Sequence, residues 1–109
     1  MKHKLTLQQQ RYLRAVIENQ YLLPRWSNPA TVLADIYKRQ MRLHISDNDA
    51  VHNLIKLLFN RGRSTNDLII EPNDWLEKLV ACWRLEGLDI PMPNEPSAEE
   101  MINNFYKGE

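Results

Sequence analysis

The sequence predicts an all-α protein, a compact bundle of about five helices with a short extended segment or small wing near residues 63–71. Three observations support this fold class. Apolar residues recur at helical spacing in five segments, helix-capping residues open most of these segments, and the 109 residues include only three glycines. Because a chain of this length can enclose one hydrophobic core, residues 1–109 are expected to form a single domain.

The first predicted helix begins after Thr6, because the Thr6 hydroxyl and the Gln9 side chain have the spacing of a capping box. Its apolar stripe consists of Leu13, Val16, Ile17 and Tyr21. The opposite, polar face is assigned to Arg11, Arg14 and Glu18. This helix is expected to end before Pro24, and the apolar connector at 22–26 is expected to cross the core.

The second and third predicted helices form the pair 29–42 and 47–60. Asn28 and Pro29 are a typical cap and first helical residue, and Ser46 with Asp49 has capping-box spacing for the third helix. The predicted core residues of the pair are Leu33, Ile36, Tyr37, Gln40, Val51, Leu54, Ile55 and Leu58. Gly62 is expected to end the third helix at a positive φ.

The second half of the chain predicts an extended segment, a fourth helix, a linker and a short fifth helix. The run Leu68-Ile69-Ile70 is too short to decide between a strand and an extended segment that crosses the core. The fourth helix follows Pro72, ends at Gly87, and buries Trp75, Leu76, Leu79, Val80 and Trp83. Three prolines make 88–96 an extended linker, after which the fifth helix is expected to dock through Met101, Ile102 and Phe105.

The sequence carries no catalytic, metal or cofactor motif. Metal-binding spacings of Cys and His and a glycine-rich phosphate loop are absent. The segment Asp47-Asn48-Asp49 lacks the glycine and the glutamate of a calcium loop, and the single cysteine, Cys82, is expected to fill space in the core. No enzymatic activity, metal or cofactor is therefore predicted.

The expected location is the cytoplasm, without membrane association. No stretch approaches the roughly 18 apolar residues that a membrane-spanning helix needs, and the first residues do not resemble a secretory signal. One cysteine cannot form an internal disulfide, which favours a reducing compartment.

The charge distribution is the strongest functional signal in the sequence. The net charge is zero, with 14 Lys and Arg against 14 Asp and Glu. Residues 1–63, however, hold eleven cationic residues and four anionic ones, a charge of +7, whereas residues 64–109 hold three and ten, a charge of −7. Such an asymmetry between halves indicates an electrostatic partner, and nucleic acid is a common partner of a basic half.

The primary functional hypothesis is a small regulatory protein that binds DNA through a helix-turn-helix-like pair, 29–42 and 47–60. The third helix would read base edges with an exposed stripe of polar side chains, namely His52, Asn53, Lys56 and Asn60. Phosphate contacts are assigned to Lys38, Arg39, Arg42, Arg61 and Arg63, the last two from a short wing.

The alternative hypothesis is a protein–protein adaptor or inhibitor, of the kind that small phage-type proteins exemplify, which belongs to or blocks a larger complex. The basic residues Arg39, Arg42, Arg61 and Arg63 would then pair with an acidic protein surface, or the acidic pole at 95–100 would occupy a basic one. Phe105 and Tyr106 are candidate anchors beside that acidic pole, because aromatic side chains contribute strongly to interfaces. The oligomeric state stays open, with a homodimer among the alternatives.

Overall fold

The computed structural model describes residues 3–37 and 47–107, and within these ranges it confirms the all-α prediction. Five helices follow one another along the chain. We label as α1 the three consecutive stretches Leu7–Tyr12, Leu13–Leu22 and Leu23–Trp26, and the others as α2 (Pro29–Tyr37), α3 (Asn48–Phe59), α4 (Pro72–Leu85) and α5 (Pro96–Lys107). None of the helices in the described ranges combines the length and the apolar character that crossing a membrane requires.

Helix α1 begins as predicted and ends later than predicted. The Thr6 hydroxyl accepts a hydrogen bond from the Gln9 amide at 3.1 Å, and the Gln9 side chain accepts one from the Thr6 amide at 2.8 Å, which completes the capping box. The expected end before Pro24 is wrong, because the helix continues to Trp26. The winding changes at Leu23, so Pro24 becomes a first-turn residue, where the missing proline N–H is tolerated.

The middle of α1 is wound as a π-helix over ten residues, Leu13–Leu22. Hydrogen bonds in this winding run from residue i to i+5, as between the Glu18 carbonyl and the Leu23 amide. The longer turn places Leu13, Ile17, Glu18 and Leu22 on one side, and all four are buried. The polar face that the sequence assigned to Glu18 is therefore wrong, since 3.6-residue periodicity does not apply in this stretch.

The connection from α1 to α2 is fixed by a polar cluster around Asp35. The Arg25 guanidinium donates two hydrogen bonds to the Asp35 carboxylate, each at 3.2 Å, and the buried Trp26 indole N–H donates to the same carboxylate. Asn28 caps α2 as predicted by accepting a hydrogen bond from the Ala30 amide at 3.0 Å. The last part of the predicted 29–42 helix lies outside the described residues.

Helix α3 has the predicted core stripe. Its cap is Asp47, which accepts a hydrogen bond from the Ala50 amide at 2.9 Å, and not the predicted Ser46, which lies outside the described residues. The predicted residues Val51, Leu54, Ile55 and Leu58 are all buried. The helix ends where the chain adopts left-handed backbone at Arg61 (φ 53°) and Gly62 (φ 79°). The prediction for Gly62 is confirmed, and the same conformation at Arg61 was not expected.

The segment between α3 and α4 forms no strand or sheet in the described ranges. Leu68 makes one isolated antiparallel bridge with His3, in which the Leu68 amide donates to the His3 carbonyl at 2.6 Å. Leu68 is buried, whereas Ile69 is 42% exposed and Ile70 is half-buried. The run 68–70 is therefore not a strand: Leu68 is the bridge residue, and the backbone bends at Ile69 and Ile70.

Helix α4 supplies the aromatic centre of the core, as its hydrophobicity predicted. Trp83 packs against Trp26 with ring centroids 5.7 Å apart and against Phe59 at 5.1 Å. Cys82, in contrast, is exposed. The predicted core position of Cys82 is wrong, because the residue falls outside the buried stripe of α4, which comprises Trp75, Leu76, Leu79, Val80 and Trp83.

The linker 88–96 is non-helical apart from the first residue of α5, and its carbonyl groups accept hydrogen bonds from three side chains, one of which is the Tyr21 hydroxyl, 3.1 Å from the Asp89 oxygen. The buried Tyr12 hydroxyl donates to the Pro91 carbonyl at 2.6 Å, and the Arg84 guanidinium donates to the Ile90 carbonyl at 2.6 and 3.0 Å. Burial raises the pKa of the Tyr12 phenol far above its ordinary value. Helix α5 then packs against α1 through the core residues Ala98, Met101 and Ile102.

Candidate binding surface

The residues predicted to contact a partner fall into three groups in the structure. Lys38, Arg39 and Arg42 lie outside the described residues, so the phosphate contacts predicted for the end of the first helix of the pair stay a prediction. His52 and Asn60 are buried. Asn53, Arg61 and Arg63 are exposed and Lys56 is half-buried.

The predicted exposed stripe of α3 is wrong at His52. Its side chain is 11% exposed, and its Nδ1 atom lies 2.6 Å from Oε2 of the fully buried Glu18. The carboxylate attracts the imidazole into the α1–α3 interface, where base readout is excluded. No signal in the sequence pairs these two residues, since they are 34 positions apart and the π-helical winding brings Glu18 inward.

The prediction is also wrong at Asn60, which organises the turn from inside. Its side chain is fully buried. The amide nitrogen lies 3.0, 3.0 and 3.2 Å from the carbonyl oxygens of Arg63, Ser64 and Asp67, and Oδ1 accepts a hydrogen bond from the Ile69 amide at 2.9 Å. The single Asn60 side chain therefore supplies the hydrogen bonds that hold the segment 61–69, which has no regular secondary structure. Because it is buried in these contacts, Asn60 is unavailable to a base.

In this turn, the backbone of Arg61 adopts an energetically unfavourable conformation. Arg61 has a φ of 53°, a left-handed conformation that glycine adopts freely and that other residues adopt at a cost of about 1–2 kcal/mol. The Gly62 amide donates to the Lys56 carbonyl at 2.9 Å, and this bond fixes the reversal. The Arg61 side chain is exposed as a result.

Beside Arg61 lies an open depression, which we call the α3–α4 groove. It has a volume of about 320 Å³, and the end of α3, the segment 61–70 and the start of α4 line it. Six lining residues are apolar, namely Leu57, Leu58, Phe59, Ile69, Ile70 and Trp75. The Trp75 indole N–H donates to the Phe59 carbonyl at 2.9 Å, which fixes the floor of the groove.

Two cations, Arg61 and Lys78, are the charged residues that line this groove. Both are exposed, and neither forms an ion pair with another described residue. Arg63, by comparison, pairs with Asp67 at 3.7 Å. The groove therefore combines apolar walls with two positive charges that have no counter-ion in the described part of the chain.

The two charged halves of the sequence partly neutralise each other in the fold. The ion pairs Arg25–Glu86, at 3.6 Å, and Arg63–Asp67 join the basic half to the acidic half. Arg14 pairs within the basic half, with Glu18 and Asp49, both at 3.6 Å. The asymmetry of +7 and −7 thus overstates the positive charge that the described surface offers to a partner.

The proposed acidic-pole anchors are engaged within the fold. Phe105 and Tyr106 are half-buried and meet edge to face, with centroids 4.9 Å apart. The Arg11 guanidinium lies over the Tyr106 ring at 5.5 Å, an arrangement that favours a cation–π contact. Tyr106 thus contacts α1 directly through Arg11, and Phe105 packs against Tyr106.

Within residues 3–37 and 47–107, no group of three or more His, Cys, Asp or Glu side chains is placed to hold a metal ion. Comparison of the chain with protein-family models, with curated proteins and with solved structures yields no match.

Proposed function

We propose that this chain is a non-catalytic binding protein that captures an acidic, amphipathic helical segment of a partner protein in the α3–α4 groove. The observation that carries the proposal is the pairing of apolar walls with Arg61 and Lys78, two exposed cations that lack ion-pair partners among the described residues. An apolar side chain of the partner would fill the groove, and acidic residues on either side would meet the two cations.

The exposure of the groove supports this role. Ile69 is one of three large apolar residues that the described surface exposes, with 42% of its side chain accessible. A volume of about 320 Å³ accommodates one or two large side chains. Burial of those side chains would supply affinity, and the charges would select an acidic segment over a basic one.

The strained backbone at Arg61 also supports the proposal. Glycine at position 61 would relieve the strain of the left-handed backbone, as Gly62 does at the next position. A residue that keeps a strained conformation is more readily understood if its side chain has a function. Here the strained residue is Arg61, whose side chain lines the groove.

The DNA-binding hypothesis stays a prediction with fewer residues to support it. Asn53 and Lys56 remain accessible on α3, whereas His52 and Asn60 are withdrawn into the fold. A groove walled by Ile69, Ile70 and Trp75 favours apolar side chains over the charged and sugar groups of a duplex backbone. Nucleic acid is therefore included in the test as a competing ligand.

The test is a fluorescence-anisotropy titration with three labelled probes across a salt series. The first is a helical peptide with Leu and Phe at i, i+4 and i+7 and Glu at flanking positions, the second has Lys in place of every Glu, and the third is a 20-base-pair duplex DNA. We expect the acidic peptide to bind most tightly and its affinity to fall as salt screens the charges.

Charge reversal locates the binding surface. Arg61→Glu and Lys78→Glu are each expected to weaken acidic-peptide binding at least tenfold, while Lys107→Glu, which reverses an exposed cation outside the groove, leaves it within twofold. Preference for the basic peptide, or equal effects of all three substitutions, would contradict the proposal. Tight, salt-dependent binding of the duplex in place of the acidic peptide would favour the DNA-binding hypothesis instead.

A further inference from the structure

The α1–α3 interface contains a buried acid–base pair that the proposed binding function does not use. Glu18 is completely buried, and its Oε2 atom lies 2.6 Å from Nδ1 of His52, which is 9% exposed. The two residues belong to different helices, so this contact is a direct polar link between α1 and α3. At 2.6 Å, this contact is slightly shorter than the roughly 2.7–2.9 Å of charge-assisted N–H···O hydrogen bonds.

The groups around the Glu18 carboxylate satisfy only part of its charge and hydrogen-bonding capacity. Its second oxygen, Oε1, accepts no hydrogen bond from a described residue. The Arg14 guanidinium lies 3.6 Å from this oxygen, but Arg14 is partly exposed and is shared with Asp49, which is almost fully exposed on α3. From α5, Glu100 is an exposed residue beside Asn19, the neighbour of Glu18. The imidazole is therefore the main buried partner of Glu18.

The backbone around Glu18 is unusual in the same region. π-Helical winding is ordinarily confined to single turns, and these turns occur frequently at functional sites. Here it extends over Leu13–Leu22 and places Glu18 on the buried side. Because Glu18 lies in the centre of this stretch and contacts His52, protonation of one carboxyl group affects how α1 packs against α3.

We propose that the Glu18–His52 pair is a proton-dependent contact between α1 and α3, and that loss of the proton held by this pair as pH rises weakens the attachment of α3. With the proton present, the carboxyl and imidazole groups compensate each other inside the interface. Without it, the charged Glu18 carboxylate is buried in the interface, with the partly exposed Arg14 guanidinium 3.6 Å from its second oxygen. Burying an uncompensated charge is strongly unfavourable, so the interface opens more often.

The direction of the Glu18 pKa shift is the one that this proposal requires. Burial raises the pKa of the Glu18 carboxyl above its ordinary value of 4.5, and the hydrogen bond with His52, the charge of His52 and the charge of Arg14 oppose the rise. A raised native pKa means that the closed state keeps its proton at a pH where the open state has lost it. The stabilisation is thus fully present below pH 4.5 and is lost as pH rises through the raised native value.

Hydrogen exchange measures this opening directly, on the full chain and without any partner. The reporters are the amides of Leu54 and Ile55 in the centre of α3, compared with those of Leu79 and Val80 in α4, after correction for the intrinsic pH dependence of exchange. As pH rises above 4.5, the protection of the α3 amides is expected to fall by up to about tenfold per pH unit, the slope for one proton. The α4 amides are expected to change less.

The Glu18→Gln variant removes the titrating group and keeps its shape, so its α3 protection is expected to be independent of pH over the same range. Asp49→Asn is the matched control, because it removes a neighbouring exposed carboxylate, and it should retain the wild-type slope. If Glu18→Gln does not fold, the double variant Glu18→Leu, His52→Leu removes both members of the pair, so that neither is left buried without the other, and it provides the same comparison.

A carboxyl-carbon NMR titration of the wild-type protein gives a separate readout, in which Glu18 is expected to titrate above 4.5. The proposal is overturned if the α3 amides of the wild type and of the variant that lacks the Glu18 carboxyl show the same pH slope. It is also overturned if Glu18 titrates at or below its ordinary value. Neither outcome depends on the α3–α4 groove, so the binding proposal can succeed or fail independently.

Discussion

Replacement of Asn60 by alanine is expected to destabilise the protein strongly, although the sequence alone suggested a role in DNA contact. The Asn60 side chain is fully buried and connects three carbonyl oxygens with the Ile69 amide. Alanine leaves all four backbone groups without this partner. Because the segment 61–67 lies at the surface, water can reach some of these four backbone groups. The loss of stability is therefore smaller than the sum of four complete hydrogen-bond losses.

The expected magnitude follows from the groups that stay enclosed. An unsatisfied buried polar group costs about 1–3 kcal/mol. With one or two such groups left beneath the turn, Asn60→Ala is expected to lower the free energy of unfolding by about 2–4 kcal/mol. At a urea dependence of about 1.5 kcal/mol per molar, the unfolding midpoint would fall by about 2 M.

Urea unfolding followed by tryptophan fluorescence measures this change, because all three tryptophans are buried in the native state. The matched control is Asn53→Ala, which removes the same side chain from an exposed position of α3, the helix that Asn60 follows, and is expected to change stability by less than about 0.5 kcal/mol. If Asn60→Ala stays within that range, or if the two variants lose equal stability, the structural role of Asn60 is refuted.

Three further predictions concern single residues. Tyr12→Phe leaves the Pro91 carbonyl unpaired and is expected to lower the free energy of unfolding by about 1–2 kcal/mol in urea. Because burial raises the pKa of Tyr12 above its ordinary 10.0, wild-type stability should also decline above pH 10 with a component that this variant lacks, so identical alkaline slopes would contradict the assignment. Arg61→Gly should raise the melting temperature, with a gain of up to about 1 kcal/mol, and weaken acidic-peptide binding, whereas lower stability would show that the backbone is unstrained. Gly87→Ala should cost about 1 kcal/mol in thermal unfolding because φ is 94° while no atom crowds the new methyl group, and a neutral result would exclude backbone strain there.

Local features of the fold were predictable because their causes lie within a few residues. The capping box at Thr6, the cap at Asn28 and the stop at Gly62 each depend on neighbouring backbone groups. The core stripes of α3 and α4 followed from regular 3.6-residue spacing. Where the winding is π-helical the same spacing failed, and it placed Glu18 on the wrong side.

The candidate site was less predictable, because it is assembled from distant segments. Arg61 was singled out by its charge, but Lys78 and Ile69 join it only through the packing of α4 against the preceding turn. His52 and Asn60 have side chains that suit either base readout or internal hydrogen bonds. Burial and partners, which sequence spacing does not specify, decide between these roles.

The most direct test of the proposed function is an NMR titration of the isotopically labelled protein with the acidic amphipathic peptide. The Trp75 indole N–H and the Ile69 amide report on the groove, since both residues line it. We expect their signals to shift on titration in the wild type and to stay in place in the Arg61→Glu, Lys78→Glu double variant, with the Trp26 indole unchanged in both. Peptide binding that shifts residues of α1 and α5 while Trp75 and Ile69 remain unperturbed would contradict the assignment of the α3–α4 groove as the binding surface.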